Sequence, residues 1–223
     1  KAGKCKQLKE YVVKLKQVFF EELNPLPMDE YSTRLAGNPF LFFEMRTVAD
    51  LMIQDINREE INQRVRENNL FQYRTPKNIR KRLNAVFVRI DVLDEPLLTI
   101  LACGEAQSAK LVALYSILKT DRLFYEFCLE VLREKYLSHQ ERIEVSDFKS
   151  FFTYKEEQNP VVASWHENTL VKLRQVYTRI LLESGLLKDD KKRFINPPVM
   201  DAGLKKHLHQ IGDKSFVLAM LGG

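Results

Sequence analysis

The residue types that commonly carry catalysis are present, but their spacing is poor for it. His207 and His209 lie two apart, so on a helix they point about 200° away from each other. No third ligand stands at a suitable distance, and no metal site is expected. Cys5, Cys103 and Cys128 are far apart with no C-x-x-C pair, which argues against a disulfide scaffold or a thiolate zinc site and suits a cytosolic chain. Trp165-His166-Glu167 could be read as an acid–base group. Ser164 and Glu167, however, have capping-box spacing, which makes Trp165 a core or staple residue. The neighbouring carboxylates Glu156 and Glu157 read as a solvated helix end. Phosphate-binding Walker loops, nucleophile elbows and H-E-x-x-H pairs are all missing from the sequence. The expectation is a protein without catalytic residues, metal or cofactor.

Cations and amides give the stronger chemical signal. From Arg74 to Arg89 there are six basic residues and no acidic one. Solvated helix faces normally mix both signs, so this run reads as a surface for a polyanion. On a helical wheel, Ile79, Leu83, Val86, Phe87 and Ile90 share the stripe that must be buried. Lys77, Lys81 and Asn84 fall opposite, Asn78 lies beside them, and Arg80 and Arg82 occupy the shoulders. Amide and cationic side chains on an exposed face can reach base edges while flanking arginines neutralise phosphates. Arg74 and Thr75 precede the helix, whose free N–H groups add a phosphate site. The candidate DNA-binding set is therefore Arg74, Thr75, Lys77, Asn78, Arg80, Lys81, Arg82 and Asn84. A weaker set combines Lys172, Gln175 and Arg179 on a second amphipathic helix with Lys191, Lys192 and Arg193 in the turn after it. Asp189 and Asp190 interrupt that turn, and a helical packing module with a solvated turn is the alternative there.

The elements that position these residues are mostly helices. Only 8 Gly and 8 Pro occur in 223 residues, too few for a hairpin-rich or Gly-loop architecture. With 45% hydrophobic residues the chain can bury a core. The net charge of +5 hides alternating blocks: +5 for residues 1–20, −5 for 21–56, +6 for 57–89, −5 for 90–160 and +4 for 161–223. Helical periodicity is expected over Lys6–Glu22 and from Asn38-Pro39 to Gln54. It continues from Asn57 to about Asn68, then from Thr75-Pro76 to near Val92. Further helices are expected near Glu95–Ala102, Glu105–Lys119 and Asp121–Leu137. Ser146 is expected to cap the next helix, Asn159-Pro160 to open a short turn, and Asn168–Ser184 to form a long helix closed by Gly185. Arg193-Phe194-Ile195 could form part of a small β-wing. The expected fold is all-α: an N-terminal helical domain (1–92) with a helix-turn-helix at 57–90, a middle segment (93–140), and a C-terminal winged-helix-like domain (141–223). No segment has the roughly 20 apolar residues needed to span a bilayer.

Three stretches carry a family resemblance: Phe43 to Met52, Asn69 to Leu83, and Ser164 to Leu173 followed by Ile180 to Leu187. Together they resemble the BrxA family, a component of bacteriophage-exclusion (BREX) systems, from about Leu35 to the C-terminus. The resemblance implies an all-helical, non-enzymatic DNA-binding protein working beside a methyltransferase, ATPases and a phosphatase-like protein in phage defence. It places the family's turn-plus-helix on Arg74, Thr75, Lys77, Asn78, Arg80 and Lys81. The expected partner is double-stranded DNA, with no membrane contact. Two other functions are compatible with the residues: a scaffold docking acidic partner subunits, and an antitermination-factor-like RNA-binding bundle.

Overall fold

The computed structural model describes residues 30–221; the lysine-rich stretch expected to form a helix at Lys6–Glu22 lies outside them. The first turn of helix, α1, spans Arg34–Gly37, and α2 spans Phe42–Ile53. The expected start of α2 at Asn38-Pro39 is not realised. Asn38, Pro39 and Phe40 instead present their carbonyls to Arg89, and the chain passes through a left-handed Leu41 (φ 54°) before α2 begins.

Helix α3 spans Arg58–Glu67, with Asn57 Oδ1 accepting from Glu60 N at 3.0 Å. Helix α4 spans Pro76–Ile90 and is capped by Thr75, with proline at its first position. The turn between them holds two left-handed residues, Asn69 and Gln72. Asn69 makes this affordable by bonding both the N–H and the carbonyl of Tyr73, each at 3.0 Å. Ile79, Leu83, Val86 and Ile90 of α4 are buried, as the wheel requires, and Phe87 is only partly so.

Helices α5 (Glu95–Cys103) and α6 (Ala106–Thr120) follow. Every residue from Leu111 to Leu118 is buried, so α6 is a central helix packed against α2, α4 and α5 rather than a surface helix. The next helix is continuous but irregular: α7 (Arg122–Phe127), a π-helical stretch at Cys128–Arg133, and α8 (Glu134–Leu137). Helix α13 (Lys214–Ala219) packs on the π-helical stretch and on α6, after α12 (Ala202–Gln210). The last turn is held by Asp213, which accepts hydrogen bonds from Tyr115 and from Lys119 (2.6 Å).

Between them lie α9 (Val145–Gln158), α10 (Pro160–Ala163) and α11 (Glu167–Glu183). Glu144, not Ser146, caps α9, in a box with Asp147; His166 Nδ1, not Ser164, caps α11 by accepting from Asn168 N. Gly185 closes α11 with φ 87°, the left-handed position where glycine carries no Cβ penalty.

Among the described residues there is no regular strand, only two isolated antiparallel bridges, Arg142 to Phe194 and Leu187 to Ile195. Backbone bonds from Ile143 N to Arg193 O, Ile195 N to Glu141 O and Lys188 N to Phe194 O lace these three short segments together. A rudimentary strand, the three helices α9, α10 and α11 and a small bridged hairpin follow the order of a winged helix, so the fold is all-α with a minimal wing. An aromatic cluster fixes this unit to the rest. Phe127 stacks on Phe148 at 4.7 Å between ring centroids, and Phe124 lies 4.7 Å from Tyr177. One hydrophobic cluster runs from Leu35 to Leu221 through all three expected segments.

Candidate nucleic-acid interface

Helix α4 sorts its basic residues between two faces. Arg74, Thr75, Lys77, Asn78, Arg80, Lys81 and Asn84 are all exposed. Among the described residues, no ion pair engages Arg74, Lys77, Arg80 or Lys81. Unpaired cations on a helix that contains no acid project a positive field outward. The start of the helix is largely satisfied from within: Thr75 Oγ1 accepts from Asn78 N at 3.4 Å, Thr75 O accepts from Ile79 N at 3.3 Å, and Pro76 has no N–H, so the exposed cations rather than the helix end carry the positive field.

Arg82 and Arg89 turn inward. Arg89 is 3% exposed and donates to Asn38 O at 2.6 Å, Pro39 O at 2.7 Å and Phe40 O at 2.8 Å. Burial lowers its pKa to about 10, and the nearby Asp121 acts in the opposite sense. Asp121 is itself buried, and its pKa is raised to about 7 by loss of water; its bond from Phe124 N and the charge of Arg89 oppose that rise. Arg82 donates to Gly37 O and to Asn38 Oδ1 and lies over the Tyr73 ring. Of the eight residues selected from sequence, Arg82 is therefore the one whose guanidinium is already engaged by the protein. Tyr73 in turn donates to Glu44, and burial together with that carboxylate pushes its pKa up to about 12. The result is a rigid mount: the 34–40 segment is gripped from α4 by Arg82 and Arg89, while Lys81 lies across Gly37.

The second candidate face is more neutralised. Lys172, Gln175 and Arg179 are exposed on α11, but Arg179 is paired with Glu183 one turn along, which holds its guanidinium charged. Lys191 and Lys192 stand exposed at the tip of the wing. Arg193 is partly buried and donates from Nε to Ile143 O at 2.8 Å, so it ties the wing to the base of α9. Asp189, which looked from sequence like a diluting charge, is the hinge of the tip: its Oδ1 accepts from Lys192 N and Arg193 N.

Sequence reasoning missed Arg34. It is exposed on α1, and α1 packs against α11 while its end is held by α4. The residue lies in an acidic block of sequence, so block charge concealed it.

The residues set aside from catalysis have structural partners. His207 Nε2 lies 2.7 Å from Asp94 Oδ2, joining α12 to the start of α5, and Trp165 packs against the core. Among the described residues no group of three or more His, Cys, Asp or Glu could hold a metal ion, and no helix is long and apolar enough to cross a membrane.

The family model described as BrxA matches residues 29–212. The BREX protein BrxA of Bacillus cereus (strain H3081.97) is 35% identical over 193 residues, covering 86% of this chain and 96% of that protein. The BREX protein BrxA of Escherichia coli O9:H4 (strain HS) is 18% identical over 188 residues, covering 84% and 88% respectively. Among solved structures, an uncharacterised protein from Magnetospirillum magneticum superimposes with a TM-score of 0.74 at 17% identity, over 85% of this chain and 97% of that one. That likeness concerns the fold alone.

Proposed function

The chain belongs to the BrxA family, and from that premise we propose that it is a non-enzymatic, cytoplasmic DNA-binding accessory protein of a bacterial BREX phage-defence system. It grips duplex DNA through the helix-turn-helix formed by α3 and α4. The observation that carries this reading is the outer face of α4, where Lys77, Arg80 and Lys81 stand exposed and unpaired among the described residues, with the exposed amides Asn78 and Asn84 beside them. Cations of this kind bind phosphates, and the amides supply modest base selectivity. The wing and α11 make a secondary contact, weakened by the Arg179–Glu183 pair. The proposed assembly partners are the other components of such a system: a methyltransferase, ATPases and a phosphatase-like protein.

Fluorescence-anisotropy titration of a labelled duplex at several salt concentrations tests the reading. With four or five phosphate contacts, affinity should fall about two orders of magnitude between roughly 50 and 200 mM salt. Duplex RNA should bind more weakly, because its deep, narrow major groove excludes a helix. Undetectable duplex binding at low salt contradicts the proposal.

A further inference from the structure

The hairpin wing and the flank of α11 enclose a groove of about 530 Å³, within the roughly 300–1,000 Å³ typical of small-molecule sites. Its apolar side is made by Val145 and Phe148 of α9 and Leu182 of α11. Three guanidinium groups border it, Arg174 and Arg179 of α11 and Arg193 of the wing, and of these Arg179 is already paired with Glu183. Arg193 is held in place through Nε by the Ile143 carbonyl, which leaves its terminal nitrogens without a carboxylate partner among the described residues. Arg174 is partly buried, and its side chain has no hydrogen-bond or ion-pair partner among the described residues. Of the two acids on the rim, Glu183 is engaged by Arg179, and Asp190 is exposed at the wing tip.

Charges drawn partly out of water are normally paired. Two unpaired guanidiniums beside one groove favour an anion that accepts two parallel hydrogen bonds, and a phosphate does this well. Thr178 also lines the groove, but its hydroxyl proton goes to Arg174 O at 3.0 Å, so the donors available to an anion are the guanidiniums.

We propose that this groove binds a phosphate monoester bearing a flat apolar group, of mononucleotide size, with the phosphate at Arg174 and Arg193 and the flat group against Val145 and Leu182. The site does not depend on the DNA-binding reading, and its test uses no DNA in the first arm. The full chain is titrated calorimetrically with 5′-AMP, with adenosine and with inorganic phosphate. The expected result is binding of 5′-AMP in the submillimolar range, with adenosine and phosphate each weaker by about tenfold or more. Arg174→Ala should weaken 5′-AMP by about tenfold at an unchanged melting temperature, since that side chain supports nothing else. Arg193→Lys, which keeps the charge but loses the fork, should weaken it as well. Silence from 5′-AMP up to roughly 5 mM, or full affinity in Arg174→Ala, overturns the proposal. Phosphate binding as tightly as 5′-AMP means an adventitious ion only and overturns it too. A second arm titrates a short duplex. If the duplex depends on Arg174 while 5′-AMP does not bind, the groove is a track for a DNA backbone, and the small-ligand site is rejected.

Discussion

Helices α4 and α11 have the same amphipathic plan, a buried aliphatic stripe backed by cations, yet they dispose of their charge differently. On α4, which contains no acid, the outer cations Lys77, Arg80 and Lys81 have no ion-pair partner among the described residues, and the inner pair Arg82 and Arg89 holds the carbonyls of residues 37–40. On α11 the outer Arg179 is paired to Glu183 within its own helix, and the wing beside it carries Asp189 and Asp190 next to Lys191 and Lys192. The lesson is that the count of basic residues on a helix does not measure its pull on a polyanion. What counts is how many of those residues are left without a partner, and a carboxylate one turn away decides that.

The largest expected effect lies on the inner face of α4. Arg89→Met leaves three carbonyls and the Asp121 carboxyl without their cation, and should cost about 3–5 kcal/mol in urea denaturation. A loss below about 1 kcal/mol would mean that the 34–40 segment holds its place without the grip assigned to Arg89. Asp121 gives a pH signature of the same buried pair. Its folded pKa of about 7 lies above the ordinary 3.8. The stability it contributes is therefore complete below about pH 4 and lost as pH rises through 7, a change on the order of 2–4 kcal/mol. Asp121→Asn, which can still cap α7, should flatten the pH dependence of the melting temperature between about pH 4 and 7; an unchanged slope would remove Asp121 as its source.

Smaller effects separate positioning from contact. Arg82→Gln should weaken duplex binding by about threefold while leaving the salt slope unchanged, because that guanidinium serves Gly37 and Asn38 rather than a phosphate. A slope reduced by about one unit would make Arg82 a phosphate contact after all. Smallest of all, Glu183→Gln frees Arg179 and should tighten duplex binding by about twofold. If it weakens binding instead, α11 does not present its cations to the duplex.

Local signals made much of this legible. Asn57, Thr75, Asn159 and Gly185 open or close helices as their chemistry requires, since each bonds or frees backbone groups within its own turn. What stayed hidden depends on residues distant in sequence. Asn38-Pro39 has the form of a helix start, but Arg89, some fifty positions later, claims the carbonyls there. The same contact removes Arg89 from the outer charge, which no local count could reveal. The π-helical stretch at Cys128–Arg133 leaves no residue signature, and Lys155, 3% exposed, is buried there against Glu126 and Glu130. The wing shows in the sequence as the turn at residues 188–193 and the segment Arg193-Phe194-Ile195, but not in its third segment, Glu141 to Ile143, which pairs across about fifty residues. In the candidate interface, the exposed positions of α4 followed from periodicity. The neutralisation of Arg179 was also readable, as an i, i+4 pair with Glu183.

The central claim is that the unpaired outer face of α4 makes the phosphate contacts. The direct measurement is the salt slope of duplex affinity for the native chain, for the Arg80→Ala, Lys81→Ala double variant on α4, and for the Lys172→Ala, Arg179→Ala double variant on α11. The account predicts that the α4 pair lowers the slope by about two units and affinity by more than about tenfold, while the α11 pair changes the slope by less than about one. Equal slopes for the native chain and the α4 variant, or a larger loss from the α11 pair, would contradict it.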